Sequence, residues 1–387
     1  MTARLYYMDN LRAAAMLAGI FFHAALAYAA PLNEFWFITD ANDSPLLTVF
    51  AWASHAFRMP LFFLIAGYFG HLLTEKRGLK AYLRNRLLRV GAPFLIFLPL
   101  VAAAAFGVIS FSFSYVDEPS RMMLFIRERM ENPSGGIGDV GTLHLWFLYY
   151  LLFFSLIAAG LTQIRKPKLE AVLSRLTSSV WLLAFLPLLL APALFFAGAP
   201  TPSPDRLMVK LWPFGYFGLF FAFGWRLYGA EDFLTRVGKA WPLLLAIALW
   251  CFLVYHLLLP ELSYPPEPVE FWRRVTLAVL QSYISALATI AVLSLGRMYG
   301  DVESASIRYV ADASYWLYII HLPLVVWMQA LLANVDLNVW LKFIISSVAP
   351  ILIGLGAYAL FVRYTPVGML LNGARVRPAP AIGALRP

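Results

Sequence analysis

Apolar runs of about 20 residues recur along nearly the whole chain, separated by short polar and charged segments. A run of that length crosses the ~30 Å hydrocarbon core of a bilayer as a helix. Within hydrocarbon every backbone hydrogen bond must be made inside the segment, so each run is predicted to be an α-helix. The pattern therefore predicts an all-α, polytopic membrane helix bundle of about ten transmembrane helices. The predicted spans are roughly 11–30, 46–70, 88–114, 141–162, 178–199, 210–229, 241–260, 275–296, 313–334 and 338–362.

Composition supports the membrane prediction. Of the 387 residues, 61% are hydrophobic and 13% are charged, whereas a soluble domain carries about a quarter charged residues. Because the sequence has no long polar block, residues 1–372 are predicted to form a single transmembrane domain. The Pro/Ala/Arg-rich residues 373–387 are predicted to form a disordered cytoplasmic tail. The single cysteine, Cys251, excludes an internal disulfide bond and a cysteine-pair metal site.

Basic residues are distributed unevenly between the loops. With the amino terminus inside, the predicted inner segments hold most of the 30 Lys and Arg, including those of KAYLRNRLLRV at 80–90. Positive charge favours cytoplasmic loops, so both termini are predicted to be cytoplasmic. The net charge of +9 then belongs mainly to the face beside anionic lipids and is no indication of nucleic-acid binding.

The first apolar run has two interpretations. Arg4 and the Ala27-Tyr28-Ala29 segment resemble the charged region and cleavage site of a secretory signal peptide. Asp9 and His23, however, are poorly suited to the charged region and apolar core of such a peptide. We therefore interpret this run as the first membrane helix.

The first two spans carry ionisable residues at membrane depth. Arg12 and His23 are eleven residues apart, or about three helical turns, so they share one helix face. Gly19 lies on the same face, where it allows another helix to approach closely. In the second span His55 and Arg58 are i,i+3 neighbours, and the reversed chain direction places them at about the depth of His23. Such groups mark either a hydrated functional cavity or a structural polar contact between helices.

Two further segments supply candidate residues for the same cavity. His321 lies near the midplane of the ninth span, with Ser314 and Tyr318 on the neighbouring turns. His144 and Trp146 lie nearer the predicted outer surface. They either contact an extracytoplasmic acceptor or belong to the interfacial aromatic belt.

Arg86 and Arg89 lie at the predicted beginning of the third span and are i,i+3 neighbours. A helix amino terminus carries a positive dipole, so arginines stacked there predict a bound anion. Paired guanidinium groups also suit phosphate. The alternative is that both arginines serve only the topology of the chain beside lipid headgroups.

A basic cytoplasmic end and a histidine about half a membrane deeper match the shape of acyl-CoA, whose phosphorylated nucleotide carries a long arm ending in a thioester. An imidazole with a pKa near neutrality is suited to take the proton of a hydroxyl that attacks this thioester. Arg58 or Arg12 is suited to stabilise the developing negative charge. The sequence has no GxSxG, HExxH or P-loop motif. We therefore expect acyl-CoA as co-substrate and neither a permanently bound cofactor nor a metal.

Several motifs resemble those of the membrane-bound acyltransferases of acyltransferase family 3. They are Met8-Asp9-Asn10-Leu11-Arg12 followed by His23, FFLIAGYFG at 62–70, the Arg86 and Arg89 pair, and SYWLY at 314–318 leading to His321. Within the family the chain is most similar to the bacterial periplasmic-glucan succinyltransferases. This likeness rests on HAFRMPLFFLIAGYF at 55–69, LHLWFL at 143–148 and ASYWLYIIHLPL at 313–324.

The resemblance implies that His23 is the catalytic residue and that Arg12, Arg86 and Arg89 bind acyl-CoA. One position departs from the family, because Ala66 stands where a serine is frequent, so a hydroxyl role at that position does not carry over.

Together these observations predict a bacterial inner-membrane O-acyltransferase that moves an acyl group, preferably succinyl, from cytoplasmic acyl-CoA to a hydroxyl of a periplasmic glucan. His23 is predicted to be the general base, with His55 and Arg58 orienting it or polarising the carbonyl. Ser314, Tyr318 and His321 are predicted to line the acyl-CoA site. Direct transfer and an acyl-histidine intermediate both fit.

Two alternatives differ in substrate or in class. One is acetyl transfer to another cell-surface polysaccharide or a lipid-linked sugar. The other is a proton-coupled transporter or flippase that uses the membrane histidines as a relay. Paired repeats are typical of such transporters, and the sequence shows none.

Overall fold

A computed structural model describes residues 6–132, 141–164, 174–175, 179–230, 232–262 and 268–373. This part of the chain is helical and contains no strand beyond one isolated bridge between Gly141 and Arg206. Its main helices are α1 (Tyr6–Ala25), α2 (Pro45–Arg86), α3 (Ala92–Tyr115), α4 (Arg121–Glu131), α5 (Trp146–Leu161), α6 (Leu182–Ala197), α7 (Trp212–Leu227), α8 (Asp232–Gly238), α9 (Trp241–Leu258), α10 (Phe271–Tyr299), α11 (Ala305–Ala333), α12 (Val339–Ala357) and α13 (Pro366–Asn372).

The prediction of an all-α multi-pass membrane protein is confirmed, and each predicted span contains one of these helices. Among the described residues, seven helical segments are long and apolar enough to cross a membrane. One of them, Pro45–Tyr115, has 71 residues and includes two predicted spans. Its backbone leaves helical geometry at Gly78 (φ 80°, ψ 164°), between these two spans. The predicted count of about ten spans and the cytoplasmic position of both termini stay predictions. The predicted tail lies outside the described residues except for Gly373.

Helix α2 occupies a central position in the bundle. It packs along α7 on one side and α1 on another, and α1 also packs against α11. The α2–α7 contact is close because two glycines meet the opposite backbone. A Cβ at Gly67 would collide with the carbonyl of Phe221, and one at Gly224 would collide with the carbonyl of Leu64. This close packing, typical of small residues between membrane helices, fixes the helix that carries His55 and Arg58.

The connection from α1 to α2 folds over the carboxyl end of α1. It begins with a 3₁₀ turn, Leu26–Tyr28, and the Asp40 amide later donates a 3.2 Å hydrogen bond to the carbonyl of Ala27. The Asp40 carboxylate also pairs with Lys342 of α12 at 2.6 Å, and both side chains are 2% exposed. Because losing one partner would leave a buried unpaired charge, this ion pair anchors the connection. The connection carries Trp36 to the mouth of the cavity described next.

Candidate active site

A cavity of about 550 Å³ lies between α1, α2, α5 and α11. Its arginine end is formed by Arg12, Arg86 and Arg89. Its histidine end is formed by His23, His55, His144 and His321, with Arg58 and loop residues from two connections beside them. All the predicted site residues line it: Arg12, His23, His55, Arg58, Arg86, Arg89, His144, Trp146, Ser314, Tyr318 and His321. The structure therefore brings these residues together, whereas the role of each stays a prediction.

Four aromatic rings form a chain at the histidine end. The His23 ring stacks on Trp36 with a centroid separation of 5.3 Å and an interplanar angle of 20°. On another side it lies 5.2 Å from the ring of His321, which in turn lies 4.8 Å from the ring of His144. His144, predicted nearer the outer surface, thus belongs to the same cluster as His23.

Backbone carbonyls determine the tautomers of three histidines. The Nε2 atoms of His55 and His144 each lie 2.9 Å from a carbonyl oxygen, of Thr201 and Tyr318 respectively. The Nδ1 atom of His321 lies 2.7 Å from the carbonyl oxygen of Tyr318. A carbonyl oxygen only accepts, so each of these nitrogens carries a hydrogen.

His23 differs from the other three because its side chain has no hydrogen-bond partner among the described residues, and its Nδ1 atom is buried. Its imidazole is partly exposed and lines the cavity. No protein group therefore fixes its tautomer. Of the clustered histidines, His23 has the ring best able to exchange a proton with a bound substrate.

Arg58 reaches from α2 toward α1. Its guanidinium lies 4.3 Å from the centroid of the Phe22 ring and donates a 3.4 Å hydrogen bond to the Ala18 carbonyl. Gly19 leaves room for it, since a Cβ there would lie 3.4 Å from Nη1 of Arg58. The close approach predicted at Gly19 is therefore made by an arginine side chain of the neighbouring helix. His55 stacks on the Phe22 ring as well, at 5.7 Å.

The arginine end leaves several guanidinium hydrogens unused. Arg12 lies 3.5 Å from Asp9, and Arg86 donates a 2.8 Å hydrogen bond to the Asn85 side chain. The Nε atoms of both Arg12 and Arg86 are buried and have no protein partner. Buried donors of this kind are costly unless an acceptor reaches them. An anionic ligand would supply that acceptor.

One prediction about this end is wrong. Arg86 and Arg89 do not lie at a helix amino terminus, because Leu87–Gly91 forms a π-helical turn that joins α2 directly to α3. The helix that carries both arginines begins after Gly78, where a φ of 80° breaks the helical backbone. Arg86 and Arg89 therefore lie about two turns or more inside this helix, where the backbone N–H groups are bonded internally and no free helix dipole faces an anion. The attraction for phosphate rests on the arginine side chains alone.

Hydroxyl groups of α11 tie the two ends together. Tyr315 donates a 2.7 Å hydrogen bond to the Arg89 carbonyl, and Tyr318 donates one of 2.7 Å to the His144 carbonyl. Ser314 donates to its own helix, at Ala311. Trp146 is buried between aromatic rings, 5.2 Å from that of Phe217.

Sequence reasoning missed three residues of the cavity region. Trp36 comes from a connection and Gln329 is a lone amide in the span of α11; the latter was detectable as a polar group at membrane depth. Asp205 comes from the connection between α6 and α7 and also lines the cavity. Burial raises the pKa of the Asp205 carboxyl. No sequence motif points to Asp205.

Comparison with known proteins points to one family. The model of an acyltransferase domain, that of acyltransferase family 3, matches residues 5–359. The proteins named Glucans biosynthesis protein C from Salmonella paratyphi A and Salmonella agona are 25% identical to this chain over 389 residues, which is 96% of the chain and 95% of each relative. The relative of the same name from Salmonella dublin shows the same identity and coverage. No solved structure matches the chain.

Proposed function

This chain belongs to acyltransferase family 3, and from that premise we propose that it transfers an acyl group from cytoplasmic acyl-CoA to a hydroxyl of an extracytoplasmic glucan in the bacterial inner membrane. The observation that carries the proposal is that the arginine end and the histidine end belong to one cavity. Arg12 and His23 stand about 16 Å apart along α1. An extended acyl-CoA has its phosphates and its thioester in the same order.

The arginine end is suited to the nucleotide of the donor. Arg86 and Arg89 line this end of the cavity, and the unpartnered Nε atoms of Arg12 and Arg86 are available to phosphate oxygens. Charge-assisted hydrogen bonds to phosphate are stronger than neutral ones, which favours arginine at this position. The pantetheine arm then follows the wall formed by Ser314, Tyr318 and His321.

The histidine end is suited to the transfer step. His23 takes the proton of the acceptor hydroxyl while the hydroxyl oxygen bonds to the thioester carbonyl carbon. The carbon–sulfur bond then breaks, and the sulfur takes the proton from His23 to leave as a free thiol. Arg58, 6% exposed and next to the cavity, supplies positive charge for the carbonyl oxygen as it becomes negative.

The acceptor reaches the same imidazole from the histidine end of the cavity. Trp36, Ser203 and Asp205 line the cavity there and come from connections between helices. Aromatic and polar side chains of this kind suit a sugar ring and its hydroxyls. The relatives named Glucans biosynthesis protein C support a glucan as acceptor, and likeness to the glucan succinyltransferases favours succinyl as the acyl group.

The test uses purified protein in detergent with succinyl-CoA and periplasmic glucan. We expect ester formation on the glucan by mass spectrometry, together with one free thiol released for each ester. Acetyl-CoA and an unrelated surface polysaccharide provide the competing donor and acceptor. Passage of glucan across liposomes without any CoA derivative, and without ester formation, would replace the enzyme by a transporter.

A further inference from the structure

The indole of Trp36 stacks on the imidazole of His23. The two rings lie 5.3 Å apart at 20°, and both side chains line the cavity. The connection that carries Trp36 is anchored at two points. The Ser120 hydroxyl donates a 2.7 Å hydrogen bond to the Trp36 carbonyl, and the buried Asp40–Lys342 pair holds the same connection.

The side chain of Gln329 links the indole to the backbone of His23. Trp36 Nε1 donates a 2.8 Å hydrogen bond to the side-chain oxygen of Gln329. The amide nitrogen of Gln329 donates to the carbonyls of His23 and Ala24 at 3.1 Å and 3.0 Å. Gln329 is 1% exposed, so breaking these bonds would leave buried polar groups unpaired. Gln329 therefore connects the indole that covers the imidazole to the backbone of the same histidine.

The electrostatic surroundings of His23 give the indole a specific effect. The titratable and charged groups that face it are His321 of α11, Arg58 and His55 of α2, and His144 before α5. Each of these groups is neutral or positive, whereas the carboxylate of Asp205, which lines the cavity from the connection between α6 and α7, is not among them. The face of an indole is negative and attracts a cation stacked upon it. Trp36 therefore favours the protonated form of His23 against the effect of Arg58.

We propose that Trp36 is a positioning residue for acyl transfer: held by Gln329, it fixes the His23 ring and stabilises the imidazolium formed when His23 takes the acceptor's proton. This inference rests on the proposed function of His23 as general base. It assigns Gln329 the role of holding the indole parallel to the imidazole. Protonation of His23 is thereby coupled to the position of the connection between α1 and α2, which carries Trp36.

The experiment compares the full-length wild-type protein with Trp36→Phe, Trp36→Leu and Gln329→Met. Trp327→Leu is the matched control, because Trp327 lies on α11 and is 43% exposed away from the cavity. One readout is the pH profile of kcat for acyl transfer. The other is independent of activity: diethyl pyrocarbonate modifies neutral imidazole, and peptide mass spectrometry gives the pH at which His23 becomes reactive.

We expect Trp36→Leu to lower kcat roughly 2- to 30-fold, which is the range between an exposed and a buried cation–π contact. KM for acyl-CoA should stay unchanged. Because the imidazolium loses stabilisation, His23 should become neutral at lower pH. Both pH midpoints should therefore move down by about 0.4 to 1.5 units. Trp36→Phe should give a smaller shift in the same direction, and Gln329→Met should resemble Trp36→Leu. Trp327→Leu should match wild type.

Identical midpoints in wild type, Trp36→Phe and Trp36→Leu would overturn the proposal, even if kcat falls. If Trp36→Leu does not accumulate in the membrane, Trp36→Phe and Gln329→Met decide by the same criterion. A shifted modification midpoint in a protein that transfers no acyl group would support the indole–imidazolium contact and place the failure in the proposed function.

Discussion

At the histidine end of the cavity, backbone carbonyls hold the histidines that surround His23, whereas at the arginine end few partners hold the side chains. His144 and His321 are 7% and 3% exposed, and both bond to the Tyr318 carbonyl. The Arg12 side chain is 40% exposed, and within the described part of the chain Arg89 makes one long hydrogen bond, of 3.5 Å to the Leu371 carbonyl. One end is fixed and the other is adaptable.

This difference matches what each end must do in the proposed reaction. A transfer step requires reacting groups held close to one geometry, so fixed rings around the unpartnered His23 favour it. Binding of a polyphosphate depends more on charge than on exact position, and flexible guanidinium groups satisfy several arrangements of phosphate oxygens. We therefore expect changes at the histidine end to lower kcat and changes at the arginine end to raise KM.

Replacement of His23 by alanine should give the largest effect. Without the general base, kcat for acyl transfer should fall about 10²- to 10⁴-fold, while KM for acyl-CoA changes little. His256→Ala is the matched control, because His256 lies within α9 and does not line the cavity. Both variants should accumulate in the membrane at wild-type levels. Normal transfer by His23→Ala would remove His23 from the reaction.

The double replacement Arg86→Ala and Arg89→Ala tests the other end. Loss of the two guanidinium groups should raise KM for acyl-CoA about 10- to 100-fold and leave kcat within a few-fold, since a pair that holds one phosphate together contributes about as much as one charged hydrogen bond, about 1.5–3 kcal/mol. Arg84→Ala is the control, because Arg84 belongs to the same basic cluster but is exposed and does not line the cavity. Equal KM values in all three proteins would assign the arginine pair to topology alone.

Two tyrosines one helical turn apart sharpen the comparison. Tyr318→Phe removes the hydrogen bond to the His144 carbonyl and should lower kcat about 5-fold, because a buried hydrogen bond contributes about 1 kcal/mol. Tyr315→Phe removes the equivalent bond to the Arg89 carbonyl and should raise KM by a similar factor. Steady-state kinetics of the two variants measures both. The same pattern in both variants would mean that the two ends are not separate.

The features that depend on chain periodicity were predictable from sequence. Hydropathy alone located the helices, and helical geometry put Arg12 and His23 on one face of α1. The chain reversal between α1 and α2 put His55 and Arg58 at the level of His23. These predictions succeed because a bilayer permits few backbone arrangements, so spacing translates directly into position.

The missed features depend on contacts between segments remote in sequence. Trp36 meets His23 only because its connection folds back and is held by Asp40 and Gln329. The π-helical turn at Leu87–Gly91 was not predicted, because the basic residues before it indicated a loop between two spans. The tautomer-fixing carbonyls are equally absent from any motif, since every residue has a carbonyl. Local pattern thus located the groups, and tertiary contacts determine which of them is chemically free.

A change in ionic strength should also affect the two ends differently, and this is the smallest of the expected effects on the kinetic constants. The Debye length falls from about 10 Å at 0.1 M salt to about 3 Å at 1 M, so attraction between exposed charges is screened over this range. The partly exposed Arg12 should lose much of its attraction for phosphate, and KM for acyl-CoA should rise a few-fold. His144 and His321 are buried, so kcat at saturating acyl-CoA should stay constant. Kinetics at the two salt concentrations measures both constants. The control is an acyl-pantetheine donor, which has the thioester arm of acyl-CoA and none of its phosphates. A fall in kcat with unchanged KM would contradict the division, because salt would then act on the end that is closed to it.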